Sequence, residues 1–193
     1  MNRTKYIDCD FSEHKFYIHK TDDISVYHLK KDNTYWESIK YINTNGILAV
    51  TGDYGNWIFC REFHPGANEG ASGHYWVEKL HISSNQCGME FDSEATKNII
   101  KQRISDLEDG ENDDYSDEIK AELIEYYNDE CLDYVDCSDH EYTSHAYMNH
   151  PYRMDTEDVP YCQDIKPWLK IILEGFNEMC RRIENNDVNI IYL

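Results

Sequence analysis

Asn45-Gly46-Ile47-Leu48-Ala49-Val50-Thr51-Gly52-Asp53-Tyr54-Gly55-Asn56-Trp57-Ile58-Phe59-Cys60-Arg61-Glu62-Phe63-His64-Pro65 holds the densest apolar and β-branched run of the chain, cut at intervals by turn residues. Asn-Gly is the strongest short hairpin signal, because a type I′ turn needs positive φ at both central residues. Ile47–Thr51 therefore reads as a strand, Gly52-Asp53-Tyr54-Gly55 as a reversal, and Asn56–Phe63 as the strand that returns. These two strands are expected in the middle of a sheet.

Working back towards the start, Lys15–Lys20 and Ile24–Lys30 are strand-like and separated by Thr21-Asp22-Asp23. The two faces of Ile24–Lys30 are not cleanly divided, which suits a strand near an edge. Tyr35–Ile42 reads as a strand leading into the hairpin, with an amphipathic helix as the alternative. Downstream, Pro65–Gly73 is a loop of Gly and small residues, and Tyr75–Ile82 is a last strand or a short helix.

Beyond a turn at Ser83–Gly88 the composition changes. Asp92-Ser93-Glu94 opens a helix whose Ile99, Ile100, Ile104 and Leu107 keep helical spacing to Glu108. Asp109–Tyr115 interrupts it. Ser116-Asp117-Glu118 opens a second helix, to Asp136, with Ile119, Leu123, Ile124, Tyr127, Cys131, Leu132 and Val135 on one stripe. Cys137–Asp164 reads as loop, with Pro151 and Pro160 as breakers, and Pro167–Cys180 as a final helix with Pro167 at its first turn. Strands first and helices after is the pattern of an α+β domain. The expectation is one domain over 1–193: an antiparallel sheet over about 15–82 with C-terminal helices packed on it, residues 1–88 mainly β and 89–193 mainly α.

Charge is the main functional clue. Eighteen Lys and Arg stand against 38 Asp and Glu, a formal net charge of −20 over 193 residues. That balance excludes a nucleic-acid binder, which needs a basic footprint. Sixteen Tyr, 4 Trp and 6 Phe supply too much aromatic area for a disordered chain. Seven scattered Cys, no apolar leader after Met1-Asn2-Arg3-Thr4-Lys5 and no run long enough to span a bilayer point to reduced thiols in the cytoplasm.

The acid is concentrated over 105–141, where Lys120 is the only Lys or Arg among the carboxylates from Asp106 to Glu141. Like charges three and four residues apart weaken a helix by roughly 0.2–0.5 kcal/mol per pair, so a helix that carries them without interleaved lysines has another reason to. The functional reading is a rod of negative charge that imitates a phosphate backbone. Its partner-binding residues are Asp113, Asp114, Asp117, Glu118, Glu122, Glu125, Tyr126, Asp129, Glu130, Asp133 and Asp136, with tyrosines to stack on guanidinium groups. The plain alternative is a solvated face that only keeps the chain soluble.

Other chemistry is thinly signalled. Cys131, Cys137, His140, His145 and His150 are metal-type donors, but no CxxC pair occurs. His140 and His145 are five apart and do not share a helical face, so the zincin motif fails. Asp109, Glu111, Asp113 and Asp117 lack the Gly and terminal Glu of an EF-hand. Cys60 with His64, or Cys87 with His81, are the only nucleophile–base pairs that suggest themselves, and no Gly-rich phosphate loop is present. No catalytic residue, metal or cofactor is therefore expected, and the alternatives are a zinc-stabilised module or small metal-dependent enzyme, or an acidic cytosolic interaction module.

Thr51–Pro65, taken with Tyr75-Trp76-Val77-Glu78-Lys79-Leu80, resembles a segment of small proteins encoded by phages and mobile elements of Firmicutes. Acidic proteins of that setting resemble type II-A anti-CRISPR proteins, inhibitors of the RNA-guided DNA nuclease. The resemblance covers the central part of the chain, contains no catalytic signature and brings no functional residues with it. It implies a non-enzymatic inhibitor whose basic partner is a type II CRISPR nuclease–guide RNA complex in a bacterial host.

Overall fold

The computed structural model describes residues 3–32, 34, 36–83, 88–109, 115–152, 159–187 and 189–193. The protein is α+β, with a sheet-rich N-terminal part followed by helices. Two compact units are distinguished: 1–89 with 165–193, and 90–164 set between them in the chain.

The first unit is built on a seven-stranded sheet. Its strands are β1 (His14–Lys20), β2 (Ile24–Lys31), β3 (Ile39–Thr44), β4 (Ile47–Gly52), β5 (Trp57–Phe59), β6 (Leu80–Ser83) and β9 (Ile190–Tyr192), in spatial order β6-β5-β4-β3-β2-β1-β9. Consecutive strands β1 to β6 pair antiparallel, and β9 joins β1 in parallel. The hairpin forms as read. Thr44 pairs with Ile47, and Asn45 and Gly46 carry φ of 49° and 80°.

Alternation sends Phe16, Ile18, Tyr27, Leu29, Ile39, Tyr41, Leu48, Val50, Trp57 and Phe59 to one buried face. Helix α5 (Pro167–Glu184) packs its Leu169, Ile172, Leu173, Phe176, Met179 and Cys180 into the same core. Gly175 sets the approach: a Cβ there would stand 2.9 Å from the Tyr41 hydroxyl and 3.0 Å from Ile39 Cδ1. Tyr41 itself donates to the Ile172 carbonyl at 2.6 Å. Three buried polar residues on α5, Glu174, Asn177 and Arg182, hold the N-terminal arm. Asn177 donates to Thr4 O (2.9 Å), Arg182 donates to Phe11 O (2.7 Å), and Glu174 accepts from Tyr6 N (3.1 Å).

Several boundaries differ from the sequence reading. β2 is interior rather than near an edge, because β1 and then β9 lie outside it. The centre of the sheet is β3, with β4 beside it and β5 next to the β6 edge. β5 stops at Phe59 instead of Phe63, since the Asn43 side chain takes over both backbone bonds of Phe63: Phe63 N donates to Oδ1 at 2.9 Å, and Nδ2 donates to Phe63 O at 2.8 Å. Tyr75–Ile82 is both alternatives in turn: α1 (Gly73–Lys79) runs straight into β6.

The second unit begins and ends within β7 (Met89–Phe91) and β8 (Gln163–Ile165), which pair with each other. Between them lie α2 (Ser93–Glu108), α3 (Asp117–Glu125), a π-helical segment (Tyr126–Leu132) and α4 (Asp139–Met148). They close over their own core, centred on Ile100, Leu107, Leu123, Tyr126, Cys131 and Tyr142. Within the first unit α1 and α5 pack on the sheet, and within the second α2 to α4 pack on one another. Helix α4 falls in the stretch read as loop. Among the described residues, no helix is long and apolar enough to cross a membrane.

Candidate functional site

The acidic face is positioned by α3 and the π-helical segment that continues it. Ser116 caps α3 by accepting from Ile119 N at 3.4 Å, with Asp117 and Glu118 in the first turn, where the helix dipole favours them. The buried stripe then falls at 119, 123, 127, 131 and 135, a strict spacing of four. On an α-helix each such step overshoots by about 40°, so a regular helix would carry the stripe away from the core. The wider π turn winds it back and keeps Tyr127 and Cys131 inside with Leu123.

The same winding decides which acidic residues face solvent. Asp117, Glu118, Glu122, Glu125, Asp129, Asp133 and Asp136 are exposed. Glu122, Glu125, Asp129 and Glu130 line one shallow hollow of about 230 Å³, walled by Asn149 and Pro151. Tyr152 donates its hydroxyl to Glu122. Glu130 is half-buried, and its Oε2 lies 2.5 Å from His145 Nε2. The His145 ring stacks on Tyr134 with centroids 3.5 Å apart.

The expected partner-binding residues are not all alike on this face. Tyr126 lines the hollow but is only 4% exposed, and its hydroxyl, expected to face a partner, donates to Ala146 O at 2.9 Å. The π segment turns it inward with Tyr127. Asp136 is exposed but paired, 2.7 Å from Lys97 Nζ. Asp113 and Asp114 lie outside the described residues. Of the other tyrosines, Tyr134, Tyr147 and Tyr152 are exposed, Tyr127 and Tyr142 are buried, and Tyr161 stacks on Phe91.

The division into units sharpens the charge. The segment 90–164 contains 23 Asp and Glu against 5 Lys and Arg, so it carries −18 of the total −20. The sheet unit, with 15 acidic and 13 basic residues, is nearly neutral. Segregation on this scale could not be seen before the limits of the unit were known.

The Cys and His donors do not converge. Among the described residues no group of three or more His, Cys, Asp or Glu is disposed to hold a metal ion. Cys131 is buried, and burial pushes its thiol up to about 11. His140 shares a hydrogen bond with Ser144 at 2.9 Å, and His150 packs on the Tyr126 ring. His64 has both ring nitrogens committed, Nδ1 at 3.0 Å from the Tyr27 hydroxyl and Nε2 at 2.9 Å from Glu62, so it is not poised as a base for Cys60. Cys87, like the central residues of the Asp109–Asp117 loop, lies outside the described residues.

One feature that sequence reasoning missed bears on the site: the α4 cap. Ser138 accepts from Glu141 N while Glu141 accepts from Ser138 N, a complete capping box. Ser-x-x-Glu at 138–141 was the available signal. No protein-family model matches the chain, and no curated protein or solved structure matches it.

Proposed function

We propose that this is a non-enzymatic binding protein whose second unit presents a carboxylate face to the basic, nucleic-acid-handling surface of another protein. The observation that carries this reading is the segregation of charge, −18 in 75 residues beside a nearly neutral sheet unit. A charge needed only for solubility has no reason to collect in one unit and to leave the other balanced. Net charge of one sign concentrated on one surface steers encounter with the opposite sign and raises the association rate.

The density fits partial mimicry of a phosphate backbone. Asp117, Glu118, Glu122, Glu125 and Asp129 are exposed along about 18 Å of helix. That is about one charge per 4 Å, against one per 1.7 Å in duplex DNA. The face is sparser than DNA and competes by adding shape and the hollow at Glu122, Glu125, Asp129 and Glu130. The resemblance of Thr51–Pro65 makes a type II CRISPR nuclease–guide RNA complex in the bacterial cytoplasm the partner to test first, with the protein acting as an inhibitor.

The test is capture of the reconstituted nuclease–guide complex by the immobilised full chain at low and moderately high salt. A complex that forms at low salt and weakens steeply as salt rises supports the reading. Absence of any complex at low salt removes this partner.

A further inference from the structure

The acidic face leaves unused a second concavity, in the sheet unit. A hollow of about 300 Å³ lies over the aromatic end of the core, with Phe63, Tyr75, Trp76 and Phe176 on its floor and walls and Arg61 and Glu69 among the residues that line it. Phe63 stacks on Trp76 with centroids 4.2 Å apart, and Trp76 meets Phe176 edge-on at 5.0 Å. The volume is at the small end for a ligand site, about that of a metabolite.

Its wall is an irregular segment, residues 60–72, held by buried side chains instead of by a ladder. Asn43, 1% exposed, clamps the Phe63 backbone in both directions. Asn177, also 1% exposed, accepts from Ala71 N at 2.8 Å. Arg3 donates to the Glu69 and Ala67 carbonyls at 2.7 and 2.8 Å. Glu62 accepts from Gly46 N at 2.9 Å and lies 2.9 Å from His64. A segment this long without secondary structure is uncommon in a compact unit and is usually functional. Fixing its shape in advance lowers the cost of binding.

Charge selects the ligand. Arg3, Arg181 and Arg182 are paired with carboxylates, whereas among the described residues Arg61 donates to the Tyr75 hydroxyl alone, in a chain with 38 carboxylates. The Glu69 carboxylate has no hydrogen-bond or ion-pair partner among the described residues. A simple organic cation is a poor fit, because the Tyr75 ring already carries Arg61 at 5.3 Å and Lys79 at 5.1 Å. A simple anion would meet Glu62 and Glu69. A molecule with both charges and an apolar body meets neither objection.

We propose that this hollow binds a free α-amino acid with an aromatic or large apolar side chain, its carboxylate on Arg61, its ammonium on Glu69 and its side chain against the half-buried Phe63 and Tyr75, since Trp76 beneath them is only 1% exposed. The test is isothermal titration of the full chain with L-phenylalanine, L-tryptophan and L-leucine, alongside phenethylamine and 3-phenylpropionate, which each lack one charge. Saturable binding of an amino acid is expected, with each single-charge analogue at least about tenfold weaker than phenylalanine. Arg61→Gln should bring phenylalanine down to the affinity of phenethylamine, and Glu69→Gln should bring it down to that of 3-phenylpropionate. Arg61→Met, which also removes the charge and keeps a side chain of similar reach, serves with the same expected loss if the glutamine variant fails to fold. No saturable binding by any of the amino acids, or a folded Arg61→Gln protein that binds phenylalanine like the parent, overturns the proposal.

Discussion

Converting Glu122, Glu125, Asp129 and Asp133 to their amides (E122Q, E125Q, D129N and D133N together) should make the protein more stable while it loses its partner. All four side chains are exposed, and none is paired with a cation among the described residues. The substitution removes the like-charge neighbours Glu118–Glu122, Glu122–Glu125, Glu125–Asp129 and Asp129–Asp133. At roughly 0.2–0.5 kcal/mol each, relief amounts to about 1–2 kcal/mol at low ionic strength. The bond from the Tyr152 hydroxyl survives, because a glutamine carbonyl still accepts it. Urea unfolding in low salt should therefore show a higher midpoint with unchanged slope. Added salt should stabilise the parent more than the variant, since it screens the repulsion the variant no longer has. Affinity for the basic partner should fall, and so should its dependence on salt. A variant no more stable than the parent would rule out repulsion along this face, and one that binds as tightly with the same salt dependence would rule out these carboxylates as the binding surface.

Other expectations concern the rest of the structure. Exposed Cys60 and Cys137 should react with a thiol reagent in the native protein. Cys131 and Cys180, whose thiols burial pushes up to about 11, should react only on unfolding; early modification of either would contradict the burial described. Burial, aided by Lys40 and Lys30, holds His28 down to about 4, and burial likewise lowers His14. Both stay neutral in the fold while the unfolded chain takes up protons below about 6.5. Stability of the sheet unit should therefore fall as pH drops from there towards 4, and His28→Gln should flatten that part of a stability–pH curve. Asn177→Ala strips the bond to Thr4 O and leaves Ala71 N unmet, and should cost about 1–3 kcal/mol in chemical denaturation. A neutral result there would mean that the N-terminal arm is held by something else.

The parts of the fold legible in the sequence were those written in local pattern. Asn45-Gly46 specified its hairpin by backbone chemistry alone, and the alternation of Phe16 and Ile18, or Tyr27 and Leu29, marked strands before any partner was known. What escaped depends on distant pairing. Nothing local in Ile190-Ile191-Tyr192 announces that it returns to flank β1, so β2 was placed too near an edge. β7 and β8, three residues each, are too short to signal where one unit yields to another. Helix α4 buries only Tyr142 and Ala146, too few for an apolar period, and was recognisable only by its cap. The acidic face was legible as composition, but the π turn that sends Tyr126 inward was not. A spacing of four along Leu123, Tyr127, Cys131 and Val135 fits an α-helix closely enough to hide the correction it needs.

On the proposed function, the carboxylates of the second unit occupy a surface built for nucleic acid. Competition tests this most directly: the full chain titrated into a type II nuclease–guide RNA complex holding labelled target DNA, followed by fluorescence anisotropy at low salt. Displacement of the DNA by the parent chain, and its loss with the four-amide variant at unchanged fold, is the predicted result. A parent chain that leaves the DNA in place, or a variant that displaces it equally well, would contradict the claim.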